Sequence, residues 1–445
     1  IAVIIKDRCH PQKCGGYLCA KLCPVNRTGQ DCITIGEPDK KARIDEKLCT
    51  GCGICPKRCP VDAIRILNLP EKLDKQPIHR YGENMFELFS LPIPVFNKVV
   101  GIIGPNGVGK STALKILANI QKPNLGRYSD QNVRFEEILA YFKGTEMQLY
   151  LNLLDSGKIK VAYKPQQVDM IPKKYKGKVI DLLKRVNENN KLDELTNLLD
   201  LKEILNRNLD AISGGELQRV AIAAAALRNA QLYIFDEPTS YLDIKQRLKI
   251  SQFIRSLANQ NTLVLVVEHD LIVLDYITDF VHVMYGEESV YGIVSGLKSS
   301  KEGINIFLQG FLREENVRFR DSPIKFEKTP EAQNVHPTIR CAWDDLEKKQ
   351  GNFIIKAPGG EMRKGEIVGV LGENGIGKTT FVKMLAGIIE PDKGNVSSSV
   401  NVSYKPQYLE TQEDTLVVDY LQQAIQKFSR QLIDPLNLKV LFTKQ

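Results

Sequence analysis

The chain has 445 residues, of which 43 % are hydrophobic and 26 % are charged. At about 150 residues per domain, this length predicts three domains of soluble globular composition, each able to bury a core. The net charge is +8, from 61 Lys and Arg against 53 Asp and Glu, which suits an anionic partner. The longest apolar runs, such as 263–267, fall far short of the ~20 residues that span a bilayer. We therefore expect a soluble intracellular protein without a membrane partner.

The N-terminal region, residues 1 to about 70, is rich in cysteine. Nine of the ten cysteines precede residue 60, and the tenth is Cys341. One set has the spacing C-x2-C-x2-C-x3-C-P that is typical of bacterial ferredoxins with [4Fe–4S] clusters, in which the last cysteine binds the neighbouring cluster. This crossover rule predicts two clusters, the first held by Cys9, Cys14, Cys19 and Cys59 and the second by Cys23, Cys49, Cys52 and Cys55. Zinc is the alternative, since paired C-x2-C motifs also bind zinc; Cys32 and Cys341 are left over and are expected to serve packing or to be free thiols.

Short β-branched pieces at 1–5, 42–44 and 63–67 predict strands in this region, and the polar stretch 69–77 is typical of a linker. Two phosphate-binding loops follow, at 104–111 and 372–379. Each is preceded by an apolar run that predicts a buried strand (99–103 and 368–371) and is followed by a predicted helix (111–118 and 379–386). In such loops successive backbone N–H groups face the phosphates. Lys110 and Lys378 would reach the β- and γ-phosphates, and Ser111 and Thr379 would bind Mg²⁺.

The second half of the chain repeats the first, because 110–118 matches 378–386 and the sequence Tyr-Lys-Pro-Gln recurs at 163–166 and 404–407. The first copy carries additional residues at about 128–155, whose apolar spacing predicts a helix-turn-helix insertion. It serves either as a loop elaboration or as a partner contact. In the first copy the segment around Ser213 follows Gln166, and the same offset from Gln407 falls beyond residue 445. The second ATPase unit is therefore expected to be incomplete.

Residues 232–237 form an apolar stretch that ends in two carboxylates. Asp236 suits Mg²⁺ through water, and Glu237 suits a general base that orients the attacking water. Together with the motifs around Ser213, Asp243 and His269, the ordered set resembles the ATP-binding-cassette (ABC) ATPases. By that resemblance Gln166 and Gln407 sense Mg²⁺, His269 contacts the γ-phosphate, and Ser213-Gly-Gly215 faces the phosphate loop of the other copy. The nucleotide-binding residues that this implies are Gly104, Asn106, Gly107, Gly109, Lys110, Ser111, Thr112, Asp236, Ser213, Gly214, Gly215, Asp243, Gly372, Asn374, Gly375, Gly377, Lys378, Thr379, Thr380 and Gln407.

The full order of motifs resembles the RNase L inhibitor family, the ABC ATPases of ribosome recycling. The resemblance rests on the cysteine sets, on 79–81 and 91–94, on the paired loops, and on 212–218 and 267–271. It implies that Tyr81 and Phe86 stack on adenine, that 302–320 belongs to a hinge, and that the insertion at 128–155 contacts the small ribosomal subunit. The implied domains are 1–70 (ferredoxin-like), 71–290 (first ABC domain), 291–330 (hinge) and 331–445 (the N-terminal part of a second ABC domain), in an α/β fold.

By the same resemblance, ATP would close the two heads, the iron–sulfur domain would swing against the ribosome, and the subunits would separate after termination or rescue. The implied partners are the small ribosomal subunit with its RNA, a release or rescue factor, and translation initiation factors, with a further link to ribosome biogenesis. The protein would act as a monomer whose two heads pair within one chain. The expected location is the cytoplasm, with the nucleus as a second compartment.

Three other classes share some of these motifs. A transporter ATPase subunit offers no use for iron–sulfur clusters. A nitrogenase-reductase type of enzyme lacks the Ser-Gly-Gly signature, and no flavin, haem or nicotinamide motif supports electron transfer. A DNA-repair ABC ATPase needs a far longer insertion than the one at 128–155.

Overall fold

The structure, a computed structural model, describes residues 2–37, 39–45, 48–66, 76–83, 85–128, 133–320, 322–325, 338–351, 353–398, 402–406, 416–436 and 438–442. The chain divides into two units, of which the first contains 1–238, 251–324 and 411–445 and the second contains 239–250 and 325–410. Among the helices so described, none is both long enough and apolar enough to cross a membrane. The predicted linker 69–77 falls mostly outside the described residues.

The N-terminal region forms two small antiparallel sheets and three short helices. Strands β1 (Ala2–Ile4) and β4 (Ile64–Ile66) pair with each other, as do β2 (Ile33–Ile35) and β3 (Ala42–Ile44). The helices are α1 (Leu18–Leu22), α2 (Pro24–Arg27) and α3 (Ile54–Arg58). The strand side chains pack around buried cysteines, as expected for a ferredoxin-like domain with little regular structure of its own. The strands predicted at 1–5, 42–44 and 63–67 are present.

The first ATPase copy is built on a nine-stranded sheet with the order β5-β6-β12-β11-β7-β10-β9-β8, in which β13 also pairs with β11. Its five central strands, from β11 to β8, run parallel. Because the carboxyl ends of parallel strands meet at one edge, residues that follow β7, β9 and β10 converge there. The strands are β5 (His79–Arg80), β6 (Glu87–Leu88), β7 (Val99–Ile103), β8 (Val161–Lys164), β9 (Leu232–Asp236), β10 (Leu263–Val267), β11 (Phe280–Glu287), β12 (Tyr291–Val294) and β13 (Lys298–Ser299).

Helices connect the strands of this sheet, and the predicted insertion contains two of them. These are α5 (Phe135–Tyr141) and α6 (Glu146–Asp155), whose buried side chains Ile138, Met147 and Leu151 join the main core. The remaining helices of this part are α4 (Lys110–Leu117), α7 (Ile171–Lys174), α8 (Val179–Val186), α9 (Leu192–Leu198), α10 (Gly214–Ala226), α11 (Ile244–Ser256), α12 (Leu271–Ile277) and α13 (Ser300–Gln309). A small antiparallel pair, β14 (Phe311–Leu312) and β15 (Val317–Arg318), follows α13.

The second copy is less regular than the first. It contains β16 (Ile339–Trp343), β17 (Leu346–Gln350), β18 (Phe353–Ala357), β19 (Gly360–Arg363), α14 (Lys378–Leu385) and β20 (Val396–Ser398). Helices α15 (Val417–Tyr420) and α16 (Gln422–Phe428) lie near the C-terminal end of the chain. The buried strand predicted at 368–371 is wrong, since 366–373 has no regular structure and Leu371 is 85 % exposed. A strand needs hydrogen-bonding neighbours, and none pairs with 368–371 in the described part of the second copy.

Candidate functional site

The first phosphate loop leads directly from β7 into α4. Gly109 precedes α4 with φ +88°, and a Cβ there would lie 2.4 Å from the Phe86 ring, so this position requires glycine. The Lys110 side chain is buried, and its Nζ donates to the carbonyl oxygens of Gly104 (2.9 Å) and Pro105 (2.8 Å). Burial lowers the pKa of Lys110 to about 8, although Glu237 and Asp236 oppose the shift. A cation at a helix N-terminus lined with N–H groups is suited to bind phosphate.

Oxygen ligands meet at the end of β9, as the sequence predicts for Mg²⁺. Asp236 is 2 % exposed, and its Oδ2 accepts hydrogen bonds from the hydroxyls of Ser111 (3.3 Å) and Tyr163 (3.3 Å). Burial, and then the neighbouring Glu237 carboxylate, raise the pKa of Asp236. A hydroxyl and a carboxylate are the hard oxygen donors that Mg²⁺ takes beside nucleotide phosphates. The donor set therefore fits this ion.

Two of the three predicted catalytic side chains, those of Gln166 and His269, meet at a carboxylate oxygen of the third, Glu237. Oε1 of Glu237 accepts a hydrogen bond from Nε2 of Gln166 (2.7 Å) and lies 3.2 Å from Nε2 of His269. Burial lowers the pKa of His269, and the nearby Lys110 cation lowers it further, so the imidazole is neutral near pH 7. The arrangement holds a carboxylate where it can orient a water molecule, flanked by two groups that hydrogen-bond to it.

A cleft of about 480 Å³ lies over the phosphate loop and is lined by all three residues predicted to be catalytic. Tyr81 and Phe86 line it, with ring centres 6.4 Å apart, and the Tyr81 hydroxyl contacts Thr112 and Gln121 at 3.1 Å each. The sequence did not predict that residues 4–6 of the iron–sulfur domain also line the cleft. Asn106 and Gly107 also line the cleft, whereas Ser213, Gly214 and Gly215 are not among its lining residues.

The iron–sulfur domain is fixed beside this cleft by apolar and ionic contacts. Val3 and Ile5 form a buried cluster with Val290, in the turn between β11 and β12. Arg65 pairs with Glu287 at 3.3 Å, and Arg8 pairs with Glu288 at 3.9 Å. Because β1 continues directly into the cleft wall, the position of the domain and the shape of the cleft depend on each other.

The signature segment Ser213-Gly214-Gly215 lies at the start of α10. Ser213 forms a capping box, in which its hydroxyl accepts from the Glu216 amide (3.3 Å) and the Glu216 carboxylate accepts from the Ser213 amide (2.7 Å). This pairing satisfies two free amides of the first helical turn and fixes the serine at the helix N-terminus.

The second phosphate loop has the same local geometry within the second unit. Gly377 has φ +93° and precedes α14, and Lys378 donates to the carbonyl oxygens of Gly372 (2.6 Å) and Glu373. Asp243, predicted to bind nucleotide, accepts a hydrogen bond from the amide of Asn374 at 3.1 Å. Partial burial raises the pKa of Asp243, but the N–H donors of Gln246 and Asn374 outweigh it, and the net shift is downward. Gly375 and Thr379 are exposed, Thr380 contacts Gln350, and Gln407 lies outside the described residues.

Several cysteines of the N-terminal region lie close enough to influence one another's pKa. Burial raises the pKa of Cys19 to about 11, and the thiolates of Cys9, Cys14 and Cys59 raise it further. Burial raises the pKa of Cys55 to about 12, with Cys49 and Cys52 as the next contributors. Cys23, Cys49, Cys52 and Cys55 line one cavity, and Cys32, which is 1 % exposed, lines it as well.

Thiols are the donors that iron–sulfur clusters take, and the thiols here range from buried at Cys23 and Cys55 to exposed at Cys52. The chemistry of these donors fits such a group. No three His, Cys, Asp or Glu side chains are arranged to hold a metal ion within the described residues.

Lys164 is a residue of the site to which the sequence analysis assigned no role. It occurs in the repeated Tyr-Lys-Pro-Gln motif, yet only the glutamine received a role. In the structure its side chain is 1 % exposed, and its Nζ bonds to the main chain of Asp236 and Glu237. A charged residue at the end of the short, otherwise uncharged strand β8 was the available signal.

Family models match most of the chain. The model described as ABC transporter matches 95–240 and 356–434. The model described as a possible Fer4-like domain in RNase L inhibitor, RLI, matches 1–31, and a 4Fe-4S binding domain matches 42–65. The fold and the site thus define an ABC ATPase that carries 4Fe-4S binding domains.

Relatives extend the match over the whole length. An uncharacterised ABC transporter ATP-binding protein of Methanocaldococcus jannaschii is 50 % identical and covers 100 % of this chain and 74 % of the relative. Translation initiation factor RLI1 of Saccharomyces cerevisiae is 47 % identical, and the match covers 92 % of this chain and 68 % of the relative. Among solved structures, a model of ribosome-bound archaeal Pelota and ABCE1 matches with 49 % identity and a TM-score of 0.93. The match covers 100 % of this chain and 76 % of the chain in that structure. The chain belongs to the RNase L inhibitor family, also called RLI or ABCE1.

Proposed function

We propose that the protein is an ATP-dependent ribosome recycling factor. It would bind the ribosome after termination or rescue, separate the subunits and stay on the small one. Two similar solved structures support this: ribosome-bound archaeal ABCE1 with Pelota, and archaeal ABCE1 in complex with a ribosomal stalk protein, the latter 47 % identical over 84 % of this chain. The partners would be the small subunit with its RNA, a release or rescue factor and, as for the yeast relative named as an initiation factor, the initiation machinery. The role would be exercised in the cytoplasm, with ribosome biogenesis and the nucleus as a further setting.

One observation carries the mechanism: residues 4–6 of the iron–sulfur domain form part of the wall of the nucleotide cleft. Binding of ATP between this wall and the phosphate loop changes the contacts of β1. The free energy of nucleotide binding can therefore shift the position of the iron–sulfur domain. In this scheme the closed, ATP-bound state separates the subunits, and hydrolysis reopens the protein.

Within the cleft, Lys110 and the loop amides would hold the β- and γ-phosphates, and Tyr81 with Phe86 would contact adenine. Ser111, Gln166 and Asp236 would hold Mg²⁺ directly or through water, and Thr379 with Gln407 would do so in the second copy. Glu237 would orient the attacking water, and His269 would contact the γ-phosphate. Ser213-Gly-Gly215 and Asp243 would complete the nucleotide sites when the two heads of a single chain pair, so that the protein acts as a monomer.

Cosedimentation with purified small ribosomal subunits tests the function. We expect the anaerobically purified full-length protein to bind them with a non-hydrolysable ATP analogue and to bind weakly with ADP. Lys110→Ala should abolish the difference, because the lysine is needed for ATP to stabilise the closed state. Equal binding with both nucleotides, or none with either while the clusters are intact, would contradict the proposal.

We also propose two [4Fe–4S] clusters, one held by Cys9, Cys14, Cys19 and Cys59 and the other by Cys23, Cys49, Cys52 and Cys55. Cys23→Ser should remove about half of the bound iron, since each cluster uses four irons. Cys341→Ser is the matched control, because that buried thiol lies far along the chain from both sets and should leave the iron content unchanged. Zinc in place of iron after anaerobic purification would support the zinc alternative instead.

A further inference from the structure

Lys164 is a charged side chain in a position that usually holds an apolar one. It is the last residue of β8, in register with Phe235 on β9, and only 1 % of it is exposed. Burial lowers its pKa to about 8, against the opposing effect of Asp236, Glu268 and Glu237. A buried ammonium is costly unless its donors are used. Its hydrogen bonds therefore show what it is for.

Those bonds go to the backbone of the catalytic carboxylates. Nζ of Lys164 donates to the carbonyl oxygen of Asp236 at 2.8 Å and to that of Glu237 at 3.1 Å. The Glu237 carbonyl also accepts from Nε2 of Gln218 at 2.6 Å, and the Glu237 amide donates to Val267 at 2.9 Å. The peptide groups on both sides of Glu237 are thus fixed by β8, α10 and β10.

Glu237 needs this support because its backbone is in the left-handed region, with φ +49°. Non-glycine residues adopt that conformation rarely, and it persists where surrounding contacts impose it. Here it turns the Glu237 carboxylate out of the line of β9 and towards Gln166 and His269. An extended backbone at 237 would send the side chain elsewhere.

We propose that Lys164 is a positioning residue for ATP hydrolysis. Its ammonium holds the Asp236–Glu237 peptide in the left-handed turn that aims the Glu237 carboxylate at the attacking water. Gln166 lies two positions after Lys164 in the chain. The C-terminal end of β8 therefore positions Gln166 directly and Glu237 through Lys164. Lys164 touches neither the phosphates nor the water, and it acts through Glu237.

The competing explanation is that Lys164 only balances the charge of the buried carboxylates and so serves stability. The two explanations differ in what a substitution does when Glu237 has already lost its carboxylate. A positioning role predicts that Lys164→Met adds little to Glu237→Gln, because no carboxylate is left to aim. A purely stabilising role predicts that the two effects add.

The experiment is a double-mutant cycle on ATP turnover by the full-length protein. The residual turnover of Glu237→Gln is the reference, and turnover above it is the Glu237-dependent part. We expect Lys164→Met to lower the Glu237-dependent kcat by about 10- to 100-fold, as displaced catalytic groups do, with KM for ATP nearly unchanged. Lys164→Arg, which keeps charged donors, should recover part of the loss. Lys158→Met, an exposed lysine upstream of β8, is the matched control and should behave as wild type.

A normal kcat for Lys164→Met, or a fully additive loss in the Glu237→Gln background, would overturn the proposal. If thermal unfolding shows that Lys164→Met is unstable, Lys164→Gln replaces it in the double-mutant cycle. The neutral amide of that variant can donate a hydrogen bond to one of the two carbonyl oxygens but not to both. For Lys164→Gln, an intermediate kcat supports positioning if the double variant with Glu237→Gln has the same kcat as Glu237→Gln alone. Additive losses in the double variant again contradict it.

Discussion

The two phosphate-loop copies have the same pattern of residues but different surroundings. When Gly104 is aligned with Gly372, Val100 and Val368 occupy equivalent positions. Val100 is 0 % exposed and Val368 is 55 % exposed. The loops and helices nevertheless agree, since Gly109 and Gly377 have φ +88° and +93° and each following helix has eight residues. Loop and helix are therefore encoded locally, whereas the strand is not.

The reason is where the strand's neighbours come from. In the first copy β7 lies between β10 and β11, which pair with it in parallel. Both strands follow the signature segment in the chain, far from β7, and no strand in the described part of the second copy pairs with 368–371. A parallel strand draws its hydrogen bonds and its packing from such distant segments. The comparison shows that a correct local motif does not establish the sheet around it.

The largest expected difference between the copies is in nucleotide affinity. Lys110→Ala should weaken binding of a fluorescent ATP analogue to the 445-residue chain by about 10- to 100-fold, because charge-assisted bonds to phosphate are lost. Lys378→Ala should change the high-affinity phase by less than about twofold, because its loop is exposed. A titration of both variants checks this. The opposite order would show that the second copy is the stronger site.

A smaller difference is expected in stability. Val100→Ala should lower the free energy of unfolding by about 2 kcal/mol, because it removes buried methyl groups and leaves a cavity. Val368→Ala, the same change at the equivalent position, should alter it by less than about 0.5 kcal/mol. Urea unfolding monitored by circular dichroism measures both. Equal losses would mean that 368–371 is buried in solution.

The smallest effect concerns acid sensitivity of β11, one of the strands flanking β7. His282 is 1 % exposed, its Nδ1 lies 2.8 Å from the Ser295 carbonyl, and its Nε2 accepts the Ile93 amide at 3.0 Å. Burial lowers the pKa of His282 below its usual 6.5. The unfolded chain therefore takes up a proton at a pH at which the folded chain does not, and stability is lost as pH falls below about 6.5.

We expect unfolding to become easier between about pH 7.5 and about pH 5.5, and we expect a shallower dependence in His282→Gln, which cannot titrate there. Burial lowers the pKa of His79 and His269 too, so some dependence remains in the variant. Unfolding midpoints across this range provide the measurement. An unchanged slope would assign the acid sensitivity to other groups.

The sequence predicted the parts of the molecule that depend on local patterns. The phosphate loops, the strand ending at Asp236 and the strands at 42–44 and 64–66 all follow from residue spacing and turn chemistry. The resemblance to ABC ATPases implied that Gln166, Glu237 and His269 act at one nucleotide site, and in the structure each follows a strand whose carboxyl end lies at the same sheet edge.

What the sequence did not predict depends on contacts between distant segments. The cleft wall made by residues 4–6 arises from packing of Val3 and Ile5 on Val290, which no local pattern encodes. The role of Lys164 is visible only once β8 lies beside β9. The strand predicted at 368–371 failed for the same reason, since its apolar pattern cannot reveal whether pairing partners are present.

Amide hydrogen exchange of the 445-residue chain, with and without Mg-ATP, tests this account most directly. We predict slow exchange at Val99–Ile103, additional protection of 104–111 when nucleotide is added, and fast exchange at 367–371 in both conditions. Slow exchange at 367–371, matching that of β7, would contradict the claim that the local motif does not establish a paired strand at 368–371.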